Sequence, residues 1–316
     1  MTMQPETDGA SVFLLTAVRN EARVIPLFFA ELRETFAKAG MLRRATLVVV
    51  DDASTDDTVD VIEQCAGSMP DLRVEVLRLS SNRGNQSAMA FGLREVSGRL
   101  KDAHLLTFDA DGEDDITRLP ELVAMLDGVP DQIVFVLRDG RKESLQIRCF
   151  YFVYRIVYRL LAGRRVIPCN LMAIPGNITP AIVGSPLLSL HFSYPLLRLG
   201  LPYQTLPMAR RCRYAGRSSQ NIGLLIHHGL IGLTIFYEQM VARIILLSAT
   251  VVATTAALAT LLLLVRFFGP LRLPTGFTTV VLLSLFGFGF VSLILLVVFC
   301  LACSIFRLII ESDRIS

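Results

Sequence analysis

The sequence has no G-x-G-x-x-G after its first apolar run and no G-x-x-x-x-G-K-[ST] anywhere. Dinucleotide-binding and P-loop sites depend on those glycines, so both common nucleotide readings fall away. Cysteine is sparse and unpaired in pattern: Cys65, Cys149, Cys169, Cys212, Cys300 and Cys303 are scattered. The single C-x-x-C, Cys300 to Cys303, lies inside an apolar run with no second pair, which argues for packing and against zinc or redox chemistry. Histidine is scarce. His227 and His228 read as packing residues, and His104 and His191 suggest no partner. The opening stretch MTMQPETDGA lacks the basic start and long apolar core of a secretory signal. The large N-terminal part is therefore expected in the cytoplasm. Internal repeats and low-complexity stretches are also missing.

Two long segments lack charge altogether. Ile244–Val265 gives 22 uncharged residues and Leu273–Phe306 gives 34. At about 1.5 Å per residue, the shorter run spans roughly 33 Å, enough for a hydrocarbon core of about 30 Å. Gly269, Pro270, Pro274 and Gly276 break helix between them. The expectation is a two-helix transmembrane hairpin, about 244–265 and 279–306. An even number of spans returns the C-terminal tail, 307–316, to the cytoplasm. Arg243 suits the inner side, although Arg266 and Arg272 make the bias mild.

Negative charge is missing from the middle of the chain. Residues 1–137 hold 13 Lys/Arg against 23 Asp/Glu, whereas residues 138–217 hold 13 against only Asp139 and Glu143. A basic stretch just before two spans points to lipid headgroups or a lipid-borne phosphate more than to nucleic acid. Residues 144–162 read as a helix that sets Arg148, Arg155 and Arg159 among aromatics, and 219–240 as one or two further helices. Both suit a juxtamembrane layer along the headgroups.

What is present in the acidic part is a β-α alternation. Strand-like runs at 11–18, 45–50, 73–79, 104–108 and 132–137 alternate with helical patterns around 21–39, 57–66, 85–97 and 118–126. That order predicts an α/β, Rossmann-like and mostly parallel sheet with helices on both faces. Polar clusters follow the first four strands: RNE, DDASTDD, SSNRGNQS and DADGEDD. Ligands of such sheets bind beyond the carboxyl ends of the strands. Asp109 and Asp111, at i and i+2 on the turn after a buried strand, suit one hard cation. Mg²⁺ or Mn²⁺ would bridge them to a diphosphate; the competing reading is a solvated rim.

In order, VVVDDASTDDT, NRGNQSAMAFGL and FDADGED resemble the family 2 glycosyltransferases of the GT-A fold. The branch most similar is that of dolichol-phosphate-mannose synthase and the bacterial membrane-anchored polyprenyl-phosphate glycosyltransferases. The resemblance spans roughly residues 11–240. It implies a GT-A domain over 1–213, juxtamembrane amphipathic helices over 214–243 and two spans within 244–306. It also implies that Ala17, Asn20, Glu21, Asp52, Ser54 and Gly84 border the nucleotide-sugar, with Asp109, Arg213 and Ser218 near its diphosphate. Asp109 and Asp111 would hold the metal with Glu113 as a further ligand, where relatives often have Gln. Asp114 is the next carboxylate of that catalytic loop. Arg138 and Arg148 match arginines that receive the lipid phosphate. Asn85 and Ser219 stand where many relatives carry lysine.

The resemblance implies inverting, metal-dependent transfer from a UDP- or GDP-sugar to a polyprenyl phosphate at the cytoplasmic face of an inner or plasma membrane, by a multi-pass homo-oligomer resembling a tetramer. A lipid phosphate is already anionic near neutral pH and needs no protein base. Processive polysaccharide synthases of the same fold use a tryptophan-containing acceptor motif, and this chain has no Trp. The alternative from another class is a catalytically silent GT-A membrane scaffold or binding module.

Overall fold

The computed structural model describes residues 11–139, 145–163, 169–189, 191–209, 211–215, 229, 231–232, 235–269, 274 and 276–312. Within them the chain forms two compact units, one drawn from residues 1–151 and 166–235, the other from 152–165 and 236–316.

The first unit is built on a seven-stranded sheet. Strands β1 (Ser11–Val18), β2 (Ala45–Asp51), β3 (Arg73–Arg78), β4 (Ala103–Thr107), β5 (Ile133–Asp139), β6 (Met172–Pro175) and β7 (Tyr203–Ala209) lie in the order β3-β2-β1-β4-β6-β5-β7. β1 pairs in parallel with β2 and β4, β2 with β3, and β5 with β7, while β6 runs antiparallel to both neighbours. The expected mostly parallel sheet is therefore present, with two strands added. β1, β2 and β4 read as unbroken apolar runs because both faces are covered, and their inner residues are almost fully buried. The edge strands differ: β3 is half-buried with Arg73 and Arg78 exposed, and β7 carries Pro207, both of which discourage edge pairing.

Helices α1 (Ile25–Lys38), α2 (Thr58–Gly67), α3 (Asn85–Val96) and α4 (Leu119–Gly128) follow the first four strands. α1 starts with a proline in its first turn and buries Ile25, Phe28, Phe29, Leu32 and Phe36, one face at helical spacing. Phe28 meets Phe108 with ring centroids 5.7 Å apart, which joins α1 to the end of β4. α3 approaches the sheet so closely that a Cβ on Gly92 would lie 2.6 Å from Leu15 and 2.7 Å from Val50. Short helices α6 (Thr179–Val183) and α7 (Tyr194–Arg198) complete the unit, and α5 (Leu145–Ala162) passes from it into the second.

The second unit is helical. α8 (Tyr237–Phe268) and α9 (Phe277–Ser312) pack along each other. α8, and residues Phe277–Ala302 of α9, are long and apolar enough to cross a membrane. Several of their hydroxyls are satisfied locally: Thr250, Thr254, Thr255, Thr260 and Ser284 each donate to a carbonyl three or four residues back. Arg243 on α8 donates to the Arg159 and Leu160 carbonyls at 3.1 and 2.7 Å, meeting the open C-terminal end of α5. On α5 itself Phe152, Val153, Ile156 and Leu160 are exposed. The further helices expected over 219–240 fall mostly on residues outside those described, as do His227 and His228.

Candidate active site

The sheet changes direction of winding at β1, whose neighbours are β2 on one side and β4 on the other. Polar turns leave the carboxyl ends of these strands together, as expected of a ligand crevice. Two of the turns contain non-glycine residues in the left-handed region, Asn20 at φ 54° and Ala53 at φ 56°. Such backbone is costly for an L-residue and clusters where a ligand or partner dictates it.

The first two turns are stitched to each other. The Asn20 amide donates to Ser54 Oγ at 3.0 Å, and Asn20 Oδ1 accepts the Thr55 amide at 2.8 Å. The Glu21 amide donates to Thr58 Oγ1 at 2.8 Å. Asp51 Oδ1 accepts the Ser54 amide at 3.2 Å. Asp52 is buried, and its two oxygens accept the Arg83 and Gly84 amides at 2.7 and 2.8 Å. That carboxylate therefore pins the turn after β3 and bends it toward the start of α3. Ala17 pairs with Val50 in the sheet just below. A cavity of about 390 Å³ opens at the ends of β2 and β3, lined by Asp51, Ala53, Ser54, Asp56, Asp60 and Arg78 among others.

The turn after β4 holds its carboxylates in distinct ways. Asp114 is almost fully buried and its Oδ2 accepts the Asp109 amide at 2.9 Å, so it braces the turn from within. Asp111 Oδ1 accepts the Glu113 amide at 2.9 Å. Arg213 reaches back to both, with Nη2 2.8 Å from Asp111 Oδ2 and Nε 3.1 Å from Glu113 Oε1. The strip that carries Arg213 is fixed by its backbone, the Arg211 and Tyr214 amides donating to the Glu113 and Asp111 carbonyls at 3.1 and 3.0 Å. Arg211 and Tyr214 also bond to Glu31 on α1. Burial, together with that carboxylate, pushes the Tyr214 phenol far above its ordinary range. Gly112, at φ 88°, lies under the Tyr214 ring, where any Cβ would come within 2.8 Å.

Burial and then the charge of Asp109 push Asp111 above the usual carboxylate range, Arg213 pulling the other way. Burial also raises Glu21, which feels Arg213 and Asp111. Glu21, Asp109, Asp111, Glu113 and Arg213 are thus brought into one electrostatic group. Side-chain amides bond to Asp109: Asn85 Nδ2 lies 3.1 Å from Oδ1, and Asn170 Nδ2 lies 3.1 and 3.0 Å from the two oxygens. Among the described residues no group of three or more His, Cys, Asp or Glu side chains forms a ready metal cage. Two like-charged carboxylates would instead suit a hard cation, which prefers oxygen ligands.

Arg138 lies next to last in β5, opposite Met208, and Arg148 lies in the first turn of α5; their side chains, like Ser218 and Ser219, lie outside the described residues. Asn170 and Gln86 carry no functional signal in the sequence, although Gln86 sits inside the NRGNQSAMAFGL motif. His104, without an expected partner, meets Asp127 at 2.9 Å, and His191 packs on Tyr194 with centroids 4.3 Å apart.

Residues 14–148 match the family described as "Glycosyl transferase family 2". The chain is similar to the undecaprenyl-phosphate 4-deoxy-4-formamido-L-arabinose transferases of Yersinia pestis (strain Pestoides F) and Yersinia pseudotuberculosis (serotype O:3, strain YPIII), at 30% identity over 135 residues each. The match takes in 42% of this chain and 38% of the length of those relatives. It is also similar to the solved structure of glucosyl-3-phosphoglycerate synthase from Mycobacterium tuberculosis in complex with Mg²⁺ and UDP. That likeness has a TM-score of 0.50 and 16% identity, covers 73% of this chain and 80% of that one, and bears on fold alone.

Proposed function

We propose, for a chain whose residues 14–148 carry a glycosyl transferase family 2 domain on a GT-A-like sheet, that it transfers a sugar from a nucleotide-sugar to a polyprenyl phosphate at a membrane. The observation that carries this reading is the meeting of Glu21, Asp109, Asp111, Glu113 and Arg213 at the carboxyl ends of β1 and β4. The Yersinia relatives are named for transfer to undecaprenyl phosphate, and the mycobacterial synthase was solved with UDP. The two long apolar helices and the exposed apolar side of α5, interleaved with Arg155 and Arg159, support a membrane-borne acceptor.

In this reading the nucleoside lies toward Ala17, Asn20, Ser54 and the cavity at β2 and β3, with Asp52 and Gly84 shaping that wall. Asp109 and Asp111 would hold Mg²⁺ or Mn²⁺, which supplies positive charge to the donor diphosphate when bound. Arg213 adds a second cation beside it and Asp114 keeps the turn rigid. Arg138 and Arg148 hold the acceptor phosphate in bidentate fashion. A phosphate oxygen attacks the anomeric carbon as the bond from that carbon to the diphosphate oxygen breaks. The electron pair leaves with the nucleoside diphosphate, and one in-line displacement inverts the anomeric centre. No protein base is required, because the nucleophile is already ionised. Positioning and charge neutralisation carry the rate. The catalytic unit, residues 1–213, faces the cytoplasm in this scheme, the juxtamembrane and spanning segments follow, and the assembly is a homo-oligomer.

The test is transfer of radiolabelled sugar from UDP- and GDP-sugars to undecaprenyl phosphate. Transfer is expected to stop in EDTA and in Asp109→Ala and Asp111→Ala, with membrane insertion and melting temperature retained. Full transfer by Asp111→Ala would sink the assignment. A silent binding module is the second reading, favoured by the amides on Asp109 and by Arg213 on Asp111, which give the carboxylates partners without a metal ion. Nucleotide-sugar turnover in membrane extracts separates the two.

A further inference from the structure

Asp109 is the end point of a chain of side-chain amides. The Phe192 N–H, just before α7, donates to Gln86 Oε1 at 2.9 Å. Gln86 Nε2, in the first turn of α3, donates to Asn170 Oδ1 at 3.0 Å. Asn170 Nδ2 then donates to both oxygens of Asp109, at 3.1 and 3.0 Å. The orientation of this chain is fixed from both ends. A backbone N–H can only donate, so Gln86 must turn its oxygen to Phe192; an ionised carboxylate can only accept, so Asn170 must turn its nitrogen to Asp109. The two middle amides then have one arrangement that satisfies every group. The Asn170 backbone is held as well, its carbonyl accepting from the buried Thr107 hydroxyl at 2.6 Å.

We propose that Gln86 and Asn170 are positioning residues that set the Asp109 carboxylate for its cation through a one-way hydrogen-bond relay. The inference rests on the reading of Asp109 as a cation and diphosphate ligand. Its physical basis is that amides orient without neutralising. A lysine at this place would add a positive charge beside Asp109, whereas the Asn170 and Asn85 amides fix the carboxylate plane and add no charge of their own. Amides aligned in one direction also polarise one another, so a change at Gln86 is felt at Asp109 although the two do not touch.

Gln86→Glu isolates the relay. The new carboxylate keeps the shape and still accepts from Phe192, but cannot donate to Asn170. Asn170 then turns its nitrogen toward position 86 and its oxygen toward Asp109. The full-length protein in detergent is titrated with Mn²⁺ at fixed UDP or GDP, and nucleotide binding is read by calorimetry. The Mn²⁺ concentration for half-maximal binding is expected to rise about 10- to 100-fold, the usual effect of losing a partner of a metal ligand. Nucleotide affinity at saturating Mn²⁺ should stay within about twofold, a split that general loss of structure does not give. Asn170→Ala removes the donor without adding charge and is expected to shift the Mn²⁺ dependence the same way, so the test survives misfolding of the first variant. Wild-type binding with an unchanged Mn²⁺ dependence in a folded variant overturns the relay alone. A wild-type protein that binds neither nucleotide with Mn²⁺ overturns the donor-site reading and the relay with it.

Discussion

Glu75 on β3 accepts from both arms of Arg99 at 2.7 Å and from Arg73 at 2.9 Å. The hydrogen bonds from Arg99 hold its carboxyl below the usual glutamate range. A depressed folded value means stability that is present above the unfolded pKa and is lost as pH falls through the folded one. Glu75→Gln is therefore expected to cost about 0.5–1 kcal/mol at pH 7, since the group is partly exposed, and almost nothing at pH 3. Thermal melts of both proteins across that range check it. Arg148 belongs to the same scale. Lysine there keeps the charge and loses the fork, so Arg148→Lys should raise KM for the lipid phosphate with donor binding nearly unchanged, and Arg148→Ala should lose roughly 10- to 150-fold in acceptor efficiency. Acceptor titrations at saturating donor measure both. Single residues also mark where sequence is a poor guide. The D-x-D pair was legible because two carboxylates after a buried strand are unusual, and Glu21 because it closes the turn after β1. Asn170 was not: its contact with Asp109 crosses 61 positions, and a lone Asn after Cys169 has no local signal. Asp52 was legible as a polar strand-end residue, yet its two accepted amides from positions 83 and 84 were not.

At the level of elements, the approach of α3 to the sheet depends on Gly92. A methyl there meets Leu15 and Val50, both buried and both in strands that cannot retreat. Gly92→Ala is expected to destabilise the protein by about 1–3 kcal/mol, read as a lowered melting temperature, despite alanine's better helix propensity. Strands β1 to β5 and helices α1 to α5 could be read from composition because each is long enough to show its period. β6 and β7 could not. β6 has four residues ending in proline, and β7 is an edge strand interrupted by Pro207, so neither offers a run of β-branched residues. What makes β6 a strand is the pairing of β4 and β5 on its two sides, a tertiary cause with no local signature.

For the whole molecule, the proposed division of labour predicts that a chain ending at Arg243 keeps the donor side and loses the acceptor side. It should bind UDP or GDP with Mn²⁺ as the full chain does, and transfer poorly to long-chain polyprenyl phosphate in vesicles. Undiminished transfer by the shortened chain would show that α8 and α9 are not needed for catalysis. The short antiparallel strand β6 has one more consequence, for the order of assembly. Strands β1 to β4 and the D-x-D turn are complete by residue 115, but Asn170 arrives only when the chain has traversed β5 and α5 and returned to lay β6 between β4 and β5. Closing that long excursion carries an entropic cost that is repaid only on docking. The nascent chain accordingly displays its acidic turn well before the amide that aims it. On the proposed reading of Asp109 as a cation ligand, competence to hold that cation is expected late in folding, when the two halves of the sheet join.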